Sequence, residues 1–270
     1  MKAWIARLVV LFLASAVGAA EVKVEQGTVG RWPDAESCGM DGRTWKALDG
    51  VCYYPIDFER APGKVEIARW PAGGSMETAW LTIVAKDWGQ QDIELPDDRF
   101  VHLSDEDLAR HYREQAEIKP RLRRRGGEAK FHLPLGKPAE PLPEGSGFGV
   151  RRTFNGEPKN AHTGSDYAIS LGTPVLAVAD GEVLLTGEHF FAGNSVYLYH
   201  GDGLVTMYFH LDSIDAEDGG TVAKGATVGT VGSTGRSTGP HLHLGVRWRG
   251  ARIDPAVLLA DPSSMPTVTP

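Results

Sequence analysis

Between Phe131 and about Leu259, glycine recurs so often that no long amphipathic helix can be written through the chain. What remains is a series of short strand-like runs cut by turns, which confines this stretch to an all-β domain. Composition agrees: 33 glycines and 17 prolines in 270 residues suit tight turns and argue against a helical bundle. Two segments inside the stretch echo each other, GTPVLAVADGEV at 172–183 and GTVAKGATVGTVG at 220–232. Each reads as strand, glycine turn, strand, a half-motif used twice.

Upstream, the runs KVEI, AWLTIVA and QDIEL are separated by APG, PAGGS and DWGQ, which predicts a β-sandwich-like module over residues 21–103. A helix and linker follow over 104–127. Ser104 with Asp107 three residues on forms a capping box, Leu108, Tyr112 and Ala116 repeat every four residues, and Pro120 is expected to end the helix. Arg121, Arg123, Arg124 and Arg125 then read as a solvated linker complementing the helix C-terminal dipole. The sharper alternative is a contact for an anionic envelope polymer. The β domain is placed at 128–260, and the tail 261–270, rich in Pro, Ser and Thr, is expected to be disordered.

Residues 1–20 read as an export signal, with Lys2 and Arg7 before the apolar run Leu8 to Leu13 and small residues from Ala14 to a cleavage point after Ala20. That run is far short of the ~20 residues of a spanning helix, so an exported protein, periplasmic or secreted and without stable membrane insertion, is expected. Without Lys2 and Arg7 the chain carries 26 basic against 35 acidic residues, a formal charge of −9. Nucleic acid is therefore a poor partner. Outside the cytoplasm a pair of thiols oxidises, so Cys38 and Cys52, separated by the turn-rich MDGRTWKALDG, are expected to form a disulfide. Two cysteines alone do not complete a structural zinc site.

The chemistry lies in the histidines. His162, His189, His200, His210, His241 and His243 all fall in the glycine-rich domain, and their spacing decides which ones matter. In HTGSDYAI, Gly164 between His162 and Asp166 favours a turn entering a strand, which lets an imidazole and a carboxylate converge. In PHLHLGV the alternation puts His241 and His243 on one strand face and Leu242 and Leu244 on the other. In LVTMYFHL it puts Val205, Met207 and Phe209 on one face and Thr206, Tyr208 and His210 on the other. Two ring nitrogens and one carboxylate oxygen make a tetrahedral zinc site with the fourth position left for water, the arrangement of a hydrolytic centre. HExxH is absent, which excludes the helix-borne zinc-protease template.

The ordered set HTGSD (162–166), GTPVLAVADGEV (172–183), NSVYLYHGDGLVTMYFHL (194–211) and VGSTGRSTGPHLHLGV (231–246) resembles the lysostaphin-type, or LytM-type, zinc peptidases that cut peptidoglycan cross-bridges. The upstream DFERAPGKVEIARW, AWLTIVAKDWGQQDIELP and DLARHYREQA are similar to the immunoglobulin-like module that precedes the peptidase in some of them. The resemblance implies a mainly β protein whose peptidase domain is a groove on an antiparallel sheet built from a duplicated β-motif. It implies one zinc per chain held by His162, Asp166 and His243, with His210 and His241 as non-ligand catalytic residues, and peptidoglycan as partner. His200, in the hairpin turn HGDG, reads as structural, and His189 has no functional case. Asn194, Ser237 and Thr238 are candidates for shaping the groove.

The function expected is hydrolysis of peptidoglycan peptide cross-links by metal-activated water. Small size and the lack of a recognised wall-anchoring repeat favour a D-Ala to diaminopimelate link over a pentaglycine bridge. A contact of the N-terminal module and the helix from Ser104 to Lys119 with the groove, restricting access, is a further expectation. One alternative is a catalytically silent relative that binds wall or activates an amidase, and such a copy is expected to lack ligands. Another is a lipoyl-like or sugar-phosphotransfer carrier, suggested by ADGEV and KGATVGTVG; its cytoplasmic setting conflicts with the export signal.

Overall fold

The computed structural model describes residues 20–269. The expected export signal lies outside the described residues but for Ala20, whose carbonyl accepts from the Trp80 N–H at 2.8 Å where the first strand begins. The fold is mainly β, and no helix among the described residues is long and apolar enough to cross a membrane.

The N-terminal part is a five-stranded sheet with a two-stranded ribbon packed on it. Its interior strand Glu77–Val84 buries Ala79, Leu81 and Ile83 in strict alternation, the period-two signature of a half-buried strand. Strand Glu21–Glu25 lies alongside it in parallel, and Gly63–Trp70, Ser37–Met40 and Arg43–Lys46 continue the sheet antiparallel. The ribbon pairs Val29–Pro33 with Val51–Pro55. Cys38 on the sheet and Cys52 on the ribbon are joined by a disulfide with their Cα atoms 5.5 Å apart, in a core with Trp32, Tyr54 and Ile67. Closing a loop of about 15 residues is worth roughly 3 kcal/mol in the chain-entropy picture. Thiol titration of the unfolded, unreduced protein is accordingly expected to find no free thiol; two titratable thiols would overturn the pairing.

Three sequence expectations are corrected here. Strand Gln90–Ile93, read as part of the N-terminal module, instead pairs in parallel with Arg151–Phe154 and so belongs to a small sheet at the edge of the second domain. Alternation predicts that a run is a strand but not which edge it will join. Helix α1, Asp105–Leu122, starts as expected, with Ser104 Oγ accepting from the Asp107 N–H at 3.1 Å and three acidic residues in the first turn favouring the dipole. It runs through Pro120 for two residues more, because a proline so near the end forfeits a single helical hydrogen bond, while the Arg123 N–H still reaches the Pro120 carbonyl at 3.2 Å. The tail, expected to be disordered, is fastened instead. The Arg31 N–H donates to Pro266 O at 2.9 Å, the Val268 N–H returns to Arg31 O at 2.9 Å, and Val268, 2% exposed, completes the N-terminal core. A free strand edge and an apolar gap outweigh the disorder that composition suggests.

The arginine cluster divides. Arg121 donates to the Leu184 carbonyl at 3.0 Å, and Arg124 pairs with Glu182 at 2.7 Å over the ring of Tyr199, so both fix the end of α1 to the second domain. Arg123 and Arg125 stay exposed.

The second domain is built on a nine-stranded antiparallel sheet. Neighbours run in the order Gly164–Tyr167, Leu242–Trp248, Leu204–Ile214, Gly193–Tyr199, Gly181–His189. One face packs Leu198, Tyr208, Leu242, Leu244 and Val246 into the main core. The two echoing segments pair with each other: Pro174–Leu176 runs against Thr227–Val231, and Gly181 and Glu182 against Val222 and Thr221. The opposite face carries Tyr197, Val205 and Met207, covered by Ile118 and Leu122 of α1. The site lies at the end of that covered face.

Candidate metal centre and catalytic groove

Strand pairing does most of the assembly. Asp166 stands directly opposite His243 across the first pair of strands, and Phe209 stands opposite His243 across the next. Side chains of directly opposed residues project from the same face, so carboxylate, imidazole and phenyl ring meet. The Phe209 ring stacks on His243 with centroids 5.1 Å apart and planes 2° from parallel, which fixes the imidazole in place. His162 precedes the strand, tied by its N–H to Val150 O at 2.9 Å and by its carbonyl to the Gly149 N–H at 2.7 Å. Gly164 is required between them: a Cβ there would strike the His243 ring and come within 2.6 Å of the Leu244 carbonyl oxygen.

Three polar atoms converge. His162 Nε2 and His243 Nδ1 are 2.9 Å apart, His243 Nδ1 is 2.9 Å from Asp166 Oδ1, and His162 Nε2 is 3.1 Å from the same oxygen. His162 Nδ1–H donates to the Gly147 carbonyl at 2.8 Å, which assigns the tautomer and turns a bare Nε2 lone pair inward. Burial, opposed by the Asp166 hydrogen bond, pushes His243 down to about 4, so its ring is neutral at neutral pH. Burial of Asp166 works against its charge, yet the close approach of His162 and His243 prevails and holds the carboxyl far below the usual carboxylate range. Its second oxygen, Oδ2, accepts from Arg152 at 2.8 Å. Two neutral imidazoles and one carboxylate facing one another have more lone pairs than protons between them. That donor set fits a divalent cation, and His162, Asp166 and His243 are the residues that can hold it.

His241 and His210 flank this triangle. His241 obeys the alternation, facing the cleft while Leu242 and Leu244 are buried in the core. Its Nδ1–H donates to Gly239 O at 2.8 Å, with Ser237 Oγ at 3.3 Å, and its Nε2 lies 3.7 Å from Asp166 Oδ1. His210 departs from its expected face. Thr206 and Tyr208 point into the core, where Thr206 Oγ1 meets His200 Nε2 at 2.7 Å and the Tyr208 hydroxyl accepts from the Val178 N–H at 3.1 Å. His210 would follow them, but its φ of 62° and the irregular register around it swing the ring to the Phe209 side. There its centroid is 4.8 Å from that of His241 and 6.0 Å from that of His243, and its Nδ1–H donates to Thr234 O at 2.8 Å. Burial, then the neighbouring His243 and His241, push it down to about 3. Both flanking rings thus present Nε2 to the cleft.

His200 is structural, held between Asp180 O at 2.8 Å and Thr206, and burial pushes it down to about 4. His189 is buried against Ser195 Oγ at 2.6 Å on the cleft wall. Asn194 and Ser237 brace the loop that carries Thr234 and His241, and Thr238 lines the cleft. Sequence reading missed Arg152, Gly147 and Phe209, which act through a salt bridge, a carbonyl and a stacking face. None belongs to a spaced motif, so no local signal marks them.

The cleft holds about 600 Å³, and α1 forms one wall through His111, Glu114, Gln115, Ile118 and Leu122. Glu114 accepts from the Phe190 N–H at 3.0 Å, latching the helix to the strand turn beside the site. A larger cleft of about 1750 Å³ between the Arg43–Lys46 strand and the linker contains none of these residues.

Residues 160–255 match peptidase family M23. The chain is 43% identical over 93 residues to the peptidoglycan DD-endopeptidase ShyA of Vibrio cholerae, covering 34% of this chain and 22% of that protein. It is 47% identical over 94 residues to the DD-carboxypeptidase/endopeptidase Mpg of Neisseria meningitidis, covering 35% of this chain and 22% of the other. The matched region thus spans about a fifth of the length of these curated relatives. A crystal structure of a candidate peptidase M23 from Pseudomonas aeruginosa superimposes with a TM-score of 0.64 at 31% identity, covering 87% of this chain and 94% of that one.

Proposed function

The chain belongs to peptidase family M23, and from that premise we propose that it is a zinc-dependent endopeptidase that hydrolyses peptide cross-links of peptidoglycan outside the cytoplasm. The observation that carries the reading is the convergence of His162 Nε2, Asp166 Oδ1 and His243 Nδ1 beside two further histidines in one cleft. One ion per chain would be held by those three atoms. Zinc so held lowers the pKa of water to about 7 and polarises a carbonyl.

The remaining work falls to this chain's own residues. Gly147 O and Phe209 keep the two ligand rings in orientation, and Arg152 keeps Asp166 directed through Oδ2. Attack on the scissile carbonyl needs an acceptor for the water proton and a donor for the oxyanion. His210 and His241, each anchored at Nδ1 on a main-chain carbonyl, turn a bare Nε2 to the cleft: the ring that takes the water proton there becomes an Nε2–H donor for the tetrahedral intermediate. The cleft wall formed by α1 limits which peptides reach them, a self-contact that fits latency. The silent alternative gains no support, since every ligand and both flanking histidines are present.

Digestion of defined muropeptides, read by mass spectrometry, tests the reading. Cleavage of a cross-linked dimer to monomers is expected, with loss on chelation and recovery on adding zinc. Intact dimer in the presence of stoichiometric zinc would overturn it.

A further inference from the structure

Arg236 lies on the loop between strands Thr227–Val231 and Leu242–Trp248, the loop that also supplies Thr234 O to His210 and Gly239 O to His241. Its guanidinium carbon lies over two rings, 4.4 Å from the Phe154 centroid and 4.6 Å from that of Phe191, on the wall of the cleft that contains the metal-site residues. These aromatic contacts use no N–H group. Its N–H donors lie in the plane, at the edge, and among the described residues none of them has a hydrogen-bond or ion-pair partner. Burial, reinforced by the charge of Arg152, pushes Arg236 down to about 10, and this cation has no anionic partner among the described residues.

A planar, pre-oriented and partly desolvated fork of N–H groups matches a carboxylate, which it can grip through two parallel hydrogen bonds. The other cations in the cleft do not compete for that role. Arg152 is committed to Asp166 Oδ2 at 2.8 Å and to Gln91 at 3.3 Å. Arg247, across from Val205 beneath the end of α1, has Asp57 within its electrostatic surroundings along with Arg252 and Arg125.

We propose that Arg236 binds a free carboxylate on the residue flanking the scissile amide, which makes the cleft selective for acidic cross-links over neutral ones such as oligoglycine. The inference rests on the peptidase reading above and specifies its substrate class.

The test uses the full chain with zinc and two synthetic cross-link peptides that differ only in a free carboxylate or a carboxamide beside the scissile bond. The wild type is expected to favour the carboxylate in kcat/KM by roughly 10- to 100-fold, the range of a charge-assisted hydrogen bond. Arg236→Gln is expected to bring the ratio close to one, mainly through a raised KM on the acidic peptide. Its rate on the carboxamide should change less than its rate on the carboxylate, and a zinc content of about one per chain reports that the site is still folded. Arg236→Lys keeps charge without the fork and should fall between the two. Arg247→Gln should leave the ratio where it is in the wild type. A wild type without preference, or an Arg236→Gln variant that loses both rates equally or keeps the wild-type ratio, overturns the inference while leaving the peptidase reading intact. Failure of the wild type to cut either peptide overturns both.

Discussion

Alanine at His162, Asp166 or His243 is expected to abolish both bound zinc and hydrolysis, whichever of the three is replaced. With only three protein donors, each removal leaves two, and the fourth position already belongs to water and substrate. The three losses should differ in their side effects. At Asp166 the change also strips Arg152 of its carboxylate partner at 2.8 Å, so a guanidinium in the cleft wall is left unpaired and stability falls as well. Asp166→Asn separates the two effects, because it keeps the shape while removing the charge. At His243 the loss exposes the face of Phe209, and at His162 it frees the Gly147 carbonyl. Metal analysis of the purified variants, alongside thermal unfolding with and without chelator, reads all of this. Stoichiometric zinc in any one of them would remove that residue from the ligand set.

Substitution of the two flanking histidines should give the opposite pattern, with zinc retained at about one per chain and hydrolysis reduced. A general acid or base typically contributes 10²- to 10⁴-fold, so a fall of that size is expected for each. For His241 alanine serves. For His210 the φ of 62° makes alanine a strained choice, and asparagine, which tolerates the left-handed region, is the cleaner probe. Rate and metal content measured on the same samples separate the roles, since only a ligand loses both. A zinc-free His241→Ala beside a zinc-loaded His243→Ala would reverse the assignment within the HLH motif.

These roles were unequally legible in the sequence. The motif PHLHLGV gave its face directly, because a strand's period of two is a local property, and H-x3-D across a glycine marked a second arm of the site. The pairing of Cys38 with Cys52 followed from compartment and count. His210 was found by resemblance but placed on the wrong face, since one left-handed residue cancels an alternation that five neighbours obey. Gln90–Ile93 was recognised as a strand and assigned to the wrong sheet, because partners are chosen by edges far away in sequence. Arg152 and Arg236 carry no spacing signal at all. Their importance lies in what faces them, a carboxylate in one case and two aromatic rings in the other, and that knowledge needs the fold.

The fastening of residues 266–268 to Arg31 changes how the two halves of the molecule can move and form. The chain crosses between them twice, once covalently ahead of α1 and once where the tail docks through hydrogen bonds and the burial of Val268. Packing closes the same seam, with Tyr53 against Trp248 and Arg252 paired with Asp57 at 2.7 Å, so the halves do not swing as separate bodies. The order of assembly is constrained too. A chain that emerges N-terminus first makes the β module early, yet its apolar centre lacks Val268 until the last strands of the other half have been made. The part that begins folding first is therefore sealed last, and the molecule closes as a ring whose final link is its own tail.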